Sequence, residues 1–452
     1  MTNWLEEAKK YEAAMLKDLA GWIQIPSVLD EANATKEAPL GTANVDALEY
    51  FLDLGKRDGF VIKNIDNLAG HIEYGAGNEL VGVLGHSDVV PVGEGWLHGT
   101  AFSGAVEDGF IYGRGTQDDK GPMMAAYYAV KMLKDLGLPL SKRIRLIDGT
   151  DEESGWRCVD RYFATEEMPD TGFSPDANFP LIYAEKGMLN FNIVLNHNDD
   201  AIISLSAGDR SNMVPEDARV EFRCSDNLEV AYQAYLDKHN YEGTFDRNGD
   251  VQVLTIKGKA VHGMQPALGI NALYILFEFL DNHIESPLIN LVQKFLDTDG
   301  TKFGISHTGV IGNLTINAGV FSYVNGKFDI TVNLRHSQEW DADAGLKTMT
   351  TALAPFGAFI ENAEKKAALY VPQDDVLIET LAGVYRKQTG DNQELLTTGG
   401  GTYARVMKKG VAFGMLFEGT EDRMHQTDER VPVADLIKAI AIYAESLYEL
   451  AK

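Results

Sequence analysis

Cysteine is nearly missing from this chain. Cys158 and Cys224 are the two present in 452 residues. That is too few for a disulfide scaffold or a thiolate zinc site. No stretch of about 18 apolar residues occurs, and the N-terminal MTNWLEEAKKYEAAML has no apolar signal core. Neither a membrane span nor a secretion signal is expected. Basic residues are scarce: 40 Lys and Arg stand against 67 Asp and Glu, so the formal charge is 40 − 67 = −27. Such a field repels phosphate backbones and anionic membranes, which argues against nucleic-acid and membrane partners. It suits a protein that collects cations. No G-x-S-x-G elbow, Walker GK[ST] loop or strand-borne G-x-G-x-x-G is found, which removes the enzyme classes built on them. A reduced, cytoplasmic, soluble protein is the expectation.

What is present is globular. Hydrophobic residues make up 45% of the chain, enough for a sizeable core. Apolar residues recur at helical spacing from Leu5 to Trp22, and a second amphipathic helix is expected over 44–58. LVGVLG then reads as a buried strand ending in a histidine. Gly121–Gly137 reads as a helix, with Pro122 at its first position and Gly137 past its end. RIRLIDG is another strand, followed by an acidic elbow and a helix through WRCVDRYF. This alternation predicts an α/β layered domain. From Glu185 the texture becomes α+β, with FNIVL, RVEFRC, VQVLTIKG and KFDITVNLR alternating between helical blocks such as Ile270–His283. After Pro372 the α/β texture returns, with a helix over Leu377–Gln388, GVAFGMLF as one buried strand, and a helix over Val433–Leu450. The expected organisation is an α/β catalytic domain over 1–183 and 369–452, interrupted by an inserted α+β domain over 184–368.

Five polar spots follow strand-like runs, where α/β folds place ligand sites. In GHSD, His86 and Asp88 stand two apart on extended chain and face one side. A metal-bound imidazole commonly gives its other N–H to a carboxylate. In GRGTQDDKG, three glycines carry Asp118 and Asp119 into a helix start; capping alone accounts for one Asp. In DEESG, Asp151, Glu152 and Glu153 are three consecutive acids, costly together unless something positive sits among them. Asp176 is held between Pro175 and Pro180, and His425 follows GVAFGMLF. Each spot also has a plain reading, as a polar strand end, a helix cap, a solvated turn, an Asx-turn or an exposed loop. Together they supply a nitrogen and oxygen ligand set for two divalent ions about 3.5 Å apart. Mixed His and carboxylate ligation suits zinc, with manganese or cobalt next.

The ordered motifs GHSDVVP, YGRGTQDDKGP, DEESG, FSPDANFP, GGGTYAR and Met424–His425 span nearly the whole chain. They resemble the co-catalytic zinc peptidases and amidohydrolases, most of all the bacterial peptidase V-type, carnosinase-like dipeptidases. The resemblance implies a zinc-exopeptidase-like catalytic domain, with a mixed sheet between helices, and an enlarged lid. It implies that Asp118 bridges two metals, His86 and Asp176 complete one site, and Glu153 and His425 complete the other. Asp88 would orient His86, Glu152 would be the general base, and the Asp118–Asp119 peptide would be cis. His262, in KAVHGMQP, resembles the lid histidine that supplies a second donor to the developing oxyanion. The motif departs from the commoner H-S/A-x-x-P. Asn212 and Arg335 resemble lid positions that touch substrate, although Arg335 could equally form a structural ion pair. Gly400, Gly401, Thr402 and Tyr403 resemble a substrate loop, with Arg405 a further candidate contact.

The implied activity is hydrolysis of unblocked dipeptides by a metal-activated water, in a monomer. The alternatives are an N-acyl-amino-acid or succinyl-diaminopimelate amidohydrolase of the same superfamily and, more remotely, a non-catalytic metal- or peptide-binding relative. The large lid and an Asp at position 176 resemble the peptidase and aminoacylase branches. Every catalytic position is filled, unlike what a non-catalytic relative would be expected to show.

Overall fold

The computed structural model describes residues 2–452. The chain divides into two compact units. The first runs through Ala184 and resumes over Leu369–Thr397 and Gly401–Lys452; the second comprises Glu185–Ala368 and Thr398–Gly400.

The first unit is built on a mixed nine-stranded sheet. Its order is Val61–Ile65, Ala69–Gly75, Arg143–Gly149, Leu80–His86, Thr171–Ser174, Gly410–Ala412, Ile182–Glu185 and Leu369–Tyr370, with Leu396–Thr398 paired to Ile182–Glu185 off this path. Strand alternation explains why helices lie on both faces. On Ala69–Gly75, Gly70 and Ile72 meet Leu48, Leu52 and Gly55 of the helix Thr42–Arg57. His71, between them, points the other way and pairs with the Tyr162 hydroxyl of the helix Arg157–Phe163 at 2.7 Å. The helix Lys120–Asp135 is apolar nearly all round, and a helix of that kind must be buried. Met123 through Val130 are almost fully excluded from solvent, packed between the sheet, the helix Glu12–Ile23 and the long terminal helix Val433–Ala451.

Local sequence determines several boundaries. Pro122 is the third residue of its helix rather than the first, a position whose N–H also lacks an intrahelical acceptor. Gly137 follows the helix at φ +60°. The N-terminal periodicity is divided into two helices, Trp4–Lys9 and Glu12–Ile23, where Tyr11 turns its hydroxyl onto Asp135 at 2.8 Å. GVAFGMLF is not one strand. Gly410–Ala412 joins the main sheet, while Met415–Leu416 pairs with Ala177–Asn178. Gly414 stands between them at φ +80°, with the Phe179 ring packed where a side chain would project. An apolar octapeptide read by composition therefore hides a corner.

The second unit is an eight-stranded antiparallel sheet. Its order is Gly243–Asn248, Val251–Lys257, Asp217–Arg223, Ile202–Ala207, Thr315–Val324, Lys327–His336, Gly187–Asn196 and Ala358–Lys366. Period-two burial is clear on Asp217–Arg223, where Ala218, Val220 and Phe222 enter the core. The helices Ala272–Leu280 and Pro287–Phe295 bury their apolar faces in that same core. Among the described residues, no helix is long and apolar enough to cross a membrane. Both cysteines are free.

Candidate metal centre and active site

Three adjacent strands of the first unit, Arg143–Gly149, Leu80–His86 and Thr171–Ser174, run parallel, with His86 opposite Gly149 and Val83 opposite Phe173. Parallel neighbours finish at one edge. His86, the elbow Asp151–Glu153 and Asp176 follow these strand ends and so share one edge, the usual ligand position in such sheets. Asp118 reaches it from the loop that enters Lys120–Asp135. That loop folds back so closely that a side chain at Gly121 would collide with the Thr116 carbonyl. His425 arrives from the loop before Val433–Ala451, with its backbone at φ +63°.

The five predicted ligands converge as two overlapping groups, His86–Asp118–Asp176 and Asp118–Glu153–His425, with donor atoms within 4.8 Å of one another in each. Asp118 divides its oxygens between them. Oδ1 lies 3.0 Å from His86 Nε2, and Oδ2 lies 2.8 Å from His425 Nε2. His86 Nε2 is 3.8 Å from Asp176 Oδ2, and His425 Nε2 is 3.0 Å from Glu153 Oε1. His86 Nε2 and Asp118 Oδ1 are buried and make no hydrogen bond. Buried polar atoms without hydrogen bonds are rare, and a place for a bound ion is one of their ordinary explanations. This nitrogen and oxygen donor set fits a pair of divalent cations.

Electrostatics give the same picture. Burial pushes the Asp176 carboxyl up to about 8, and the negative charge of Asp118 adds to it. Desolvation likewise raises Glu152 well above the carboxylate range, with Asp176, Glu153 and Asp118 contributing. Hydrogen bonds to Asp118 and Glu153 lift His425 to about 11. Asp118 is held below its ordinary value: burial opposes this, but its interactions with His425 and His86 prevail. So many carboxylates in a desolvated edge demand positive charge, supplied either by protons on the histidines or by metal ions that displace those protons.

Asp88 has more to do than orient an imidazole. His86 Nδ1 lies 2.9 Å from the Asp88 carbonyl and 3.4 Å from its carboxylate. The carboxylate accepts the backbone N–H groups of Glu152 and Glu153, at 3.0 and 3.1 Å. The first acid of the elbow is occupied elsewhere: Asp151 accepts the Arg157 N–H and guanidinium. Trp156, at φ +61°, donates its indole N–H to the Glu152 carbonyl at 2.8 Å.

The other predicted residues distribute differently. Gly401, Thr402 and Tyr403 belong to the first unit. Thr402 caps its own turn by accepting from the Ala404 N–H. Tyr403 is 1% exposed, with its hydroxyl 2.8 Å from Cys158 Sγ. It packs edge-on to the rings of His86 and Trp156. Asn212, His262, Arg335 and Gly400 belong to the second unit. Asn212 and His262 are exposed on neighbouring segments, with the Gly263 N–H on the Asn212 carbonyl at 2.6 Å. Arg335 is buried and donates to Asn333 Oδ1 and to the Gly399 carbonyl.

Two supporting residues, Trp156 and Glu429, were not singled out from sequence, and Asp119 was given no role there. Asp119 accepts the His86 N–H, Trp156 supports Glu152, and Glu429 lies behind Asp118. The Asp-Glu pair that follows His425 in HQTDE was the one available signal for the last.

A sequence profile of peptidase family M20/M25/M40 matches residues 82–449. A curated relative from Staphylococcus haemolyticus, named "Putative dipeptidase SH1171", is 41% identical, with 99% of each chain covered. Among solved structures, human carnosine dipeptidase 1 superposes with a TM-score of 0.57 at 16% identity, covering 99% of this chain and 98% of that one. Aminopeptidase PepT from Bacillus cereus gives 0.58 at 16% identity, covering 98% and 99%.

Proposed function

Since the chain belongs to peptidase family M20/M25/M40 and is thus a hydrolase of peptide bonds, we propose that it is a metal-dependent dipeptidase acting on unblocked dipeptides. One observation carries this reading: Asp118 offers one oxygen to each of two ligand groups, and Glu152 is buried within reach of their charges. His86, Asp118 and Asp176 would hold one divalent ion, and Asp118, Glu153 and His425 a second. Zn²⁺ is the first choice and Mn²⁺ or Co²⁺ the next. When bound, such a pair supplies Lewis acidity to a water and to the scissile carbonyl.

The remaining chemistry belongs to side chains. Glu152 takes a proton from the attacking water and returns it to the leaving amine. Its desolvated setting raises its basicity, as a proton shuttle requires. Asp88 fixes the elbow by gripping the two adjacent N–H groups. The assignment of His262 as oxyanion donor, and of Asn212, Arg335, Gly400, Gly401 and Thr402 as substrate contacts, rests on the family resemblance. Tyr403 is better read as support for the His86 ring, because its hydroxyl is already engaged by Cys158.

The test compares free dipeptides with N-acetylated amino acids on the Zn²⁺-loaded full chain. Dipeptide turnover, lost on chelation and restored by metal, is expected. Turnover of the N-acetylated compounds alone, or full activity after chelation, would refute it.

A further inference from the structure

Behind the centre, the Glu429 carboxylate is fully excluded from solvent. Its Oε1 accepts three backbone N–H groups of the Asp118 loop: Gly115 at 3.0 Å, Gln117 at 2.8 Å and Asp118 itself at 3.3 Å. Converging N–H groups of this kind form a nest for an anion, and here the anion is part of the chain. Oε2 accepts from Arg114 Nη1 at 2.5 Å, and the same nitrogen donates to the carbonyl of Gln426, next to His425, at 3.1 Å. Gln117, immediately before Asp118, closes a second link. Its Nε2 donates to the Glu421 carbonyl at 2.9 Å, and its Oε1 accepts the Arg423 N–H at 2.7 Å. His425 stands in the left-handed region at φ +63°. A non-glycine residue stays there only when its surroundings over-determine it.

We propose that Glu429, acting through Arg114 and with Gln117, is a positioning residue that sets the spacing between Asp118 and His425, and so the cation affinity of the Asp118–Glu153–His425 group. This rests on the two-cation reading above. The asymmetry follows from the bonding. In Glu429→Gln, the amide oxygen can still accept from the Asp118 loop, but its NH₂ faces the Arg114 guanidinium, donor against donor. The link that fails is the one to Gln426. His425 loses its restraint while His86, Asp118 and Asp176 keep theirs.

The experiment is calorimetric titration of the metal-free full chain with Zn²⁺, for the wild type, Glu429→Gln and Gln117→Ala. The wild type should bind two ions. In each variant one event should keep its affinity and the other weaken by about 10- to 100-fold, the usual cost of losing an outer-shell partner. The circular dichroism spectrum should be unchanged. Should Glu429→Gln fail to fold, Gln117→Ala decides, since it leaves the buried Glu429–Arg114 pair intact. Two events of wild-type affinity in a folded variant, or equal weakening of both, would overturn the proposal and leave the two-cation reading standing. Fewer than two ions on the wild type would overturn both.

Discussion

Asp88→Asn is a nearly isosteric change at a residue 3% exposed. The native carboxylate places one oxygen on the Glu152 N–H and the other on the Glu153 N–H, at 3.0 and 3.1 Å. Hydrogen bonds to a charged group contribute about 1.5–3 kcal/mol each, and a buried donor left without an acceptor costs about 1–3 kcal/mol. Asparagine keeps one acceptor and turns an NH₂ towards the other N–H. One charge-assisted bond is lost, the second weakens to a neutral one, and two donors meet. The local cost is about 2–4 kcal/mol, and the elbow can relieve much of it by moving. Movement would carry Glu152 away from the water that we propose it deprotonates, and a displacement of about 1 Å can cost about 10² in rate. Steady-state kinetics on a dipeptide should show kcat lowered by about 10²-fold or more, with KM changed by a small factor. The denaturation midpoint should fall. A variant whose kcat stays within about threefold of the wild type, at unchanged stability, would refute the claim that this carboxylate holds the general base in place.

Glu152→Gln should lower kcat by at least ~10²–10⁴, the usual worth of a positioned acid–base, while elemental analysis still finds two metal ions per chain; loss of an ion would make Glu152 a ligand instead. His262→Ala should cost ~10²–10³ in kcat, as removal of an oxyanion donor does, with Zn²⁺ affinity unchanged. Mixing that variant with Glu152→Gln should restore no activity, because we read the histidine as acting in its own chain; recovered turnover would mean that it is supplied by a partner. His71 gives a stability prediction remote from the metal ligands. Burial, aided by the Arg145 charge, holds its pKa down to about 3. The unfolded chain, with an ordinary histidine near 6.5, therefore binds the proton first. The contribution to stability is complete above about pH 6.5 and is lost as pH falls from there towards 3. Between pH 7.5 and 5.5 this linkage removes about 1.4 kcal/mol. Denaturant midpoints of the wild type and His71→Gln should converge by that amount; parallel curves would show that His71 is not buried neutral.

The residues of the candidate centre were legible because they follow features that sequence displays. His86 ends an apolar run, Glu152 and Glu153 follow RIRLIDG, Asp118 sits in a glycine-packed loop, and parallel strands bring their ends to one edge. The supporting bonds left no such trace. Asp88 reaches Glu152 across 64 positions and Glu429 reaches Asp118 across 311, and in both cases the partner is a backbone N–H, which every residue but proline carries. Tyr403 illustrates how a contact hidden from sequence changes the reading of a residue. Its motif places it in a loop beside the centre, and the loop is there, but the Cys158 thiol already engages its hydroxyl. Residue type reveals which groups could do chemistry. Which of them are free to do it depends on hydrogen bonds closed by the fold, and that difference divides Glu152 from Asp151: adjacent carboxylates of one acidic run, one buried among the charges of His86, Asp176, Glu153 and Asp118 and the other committed to Arg157.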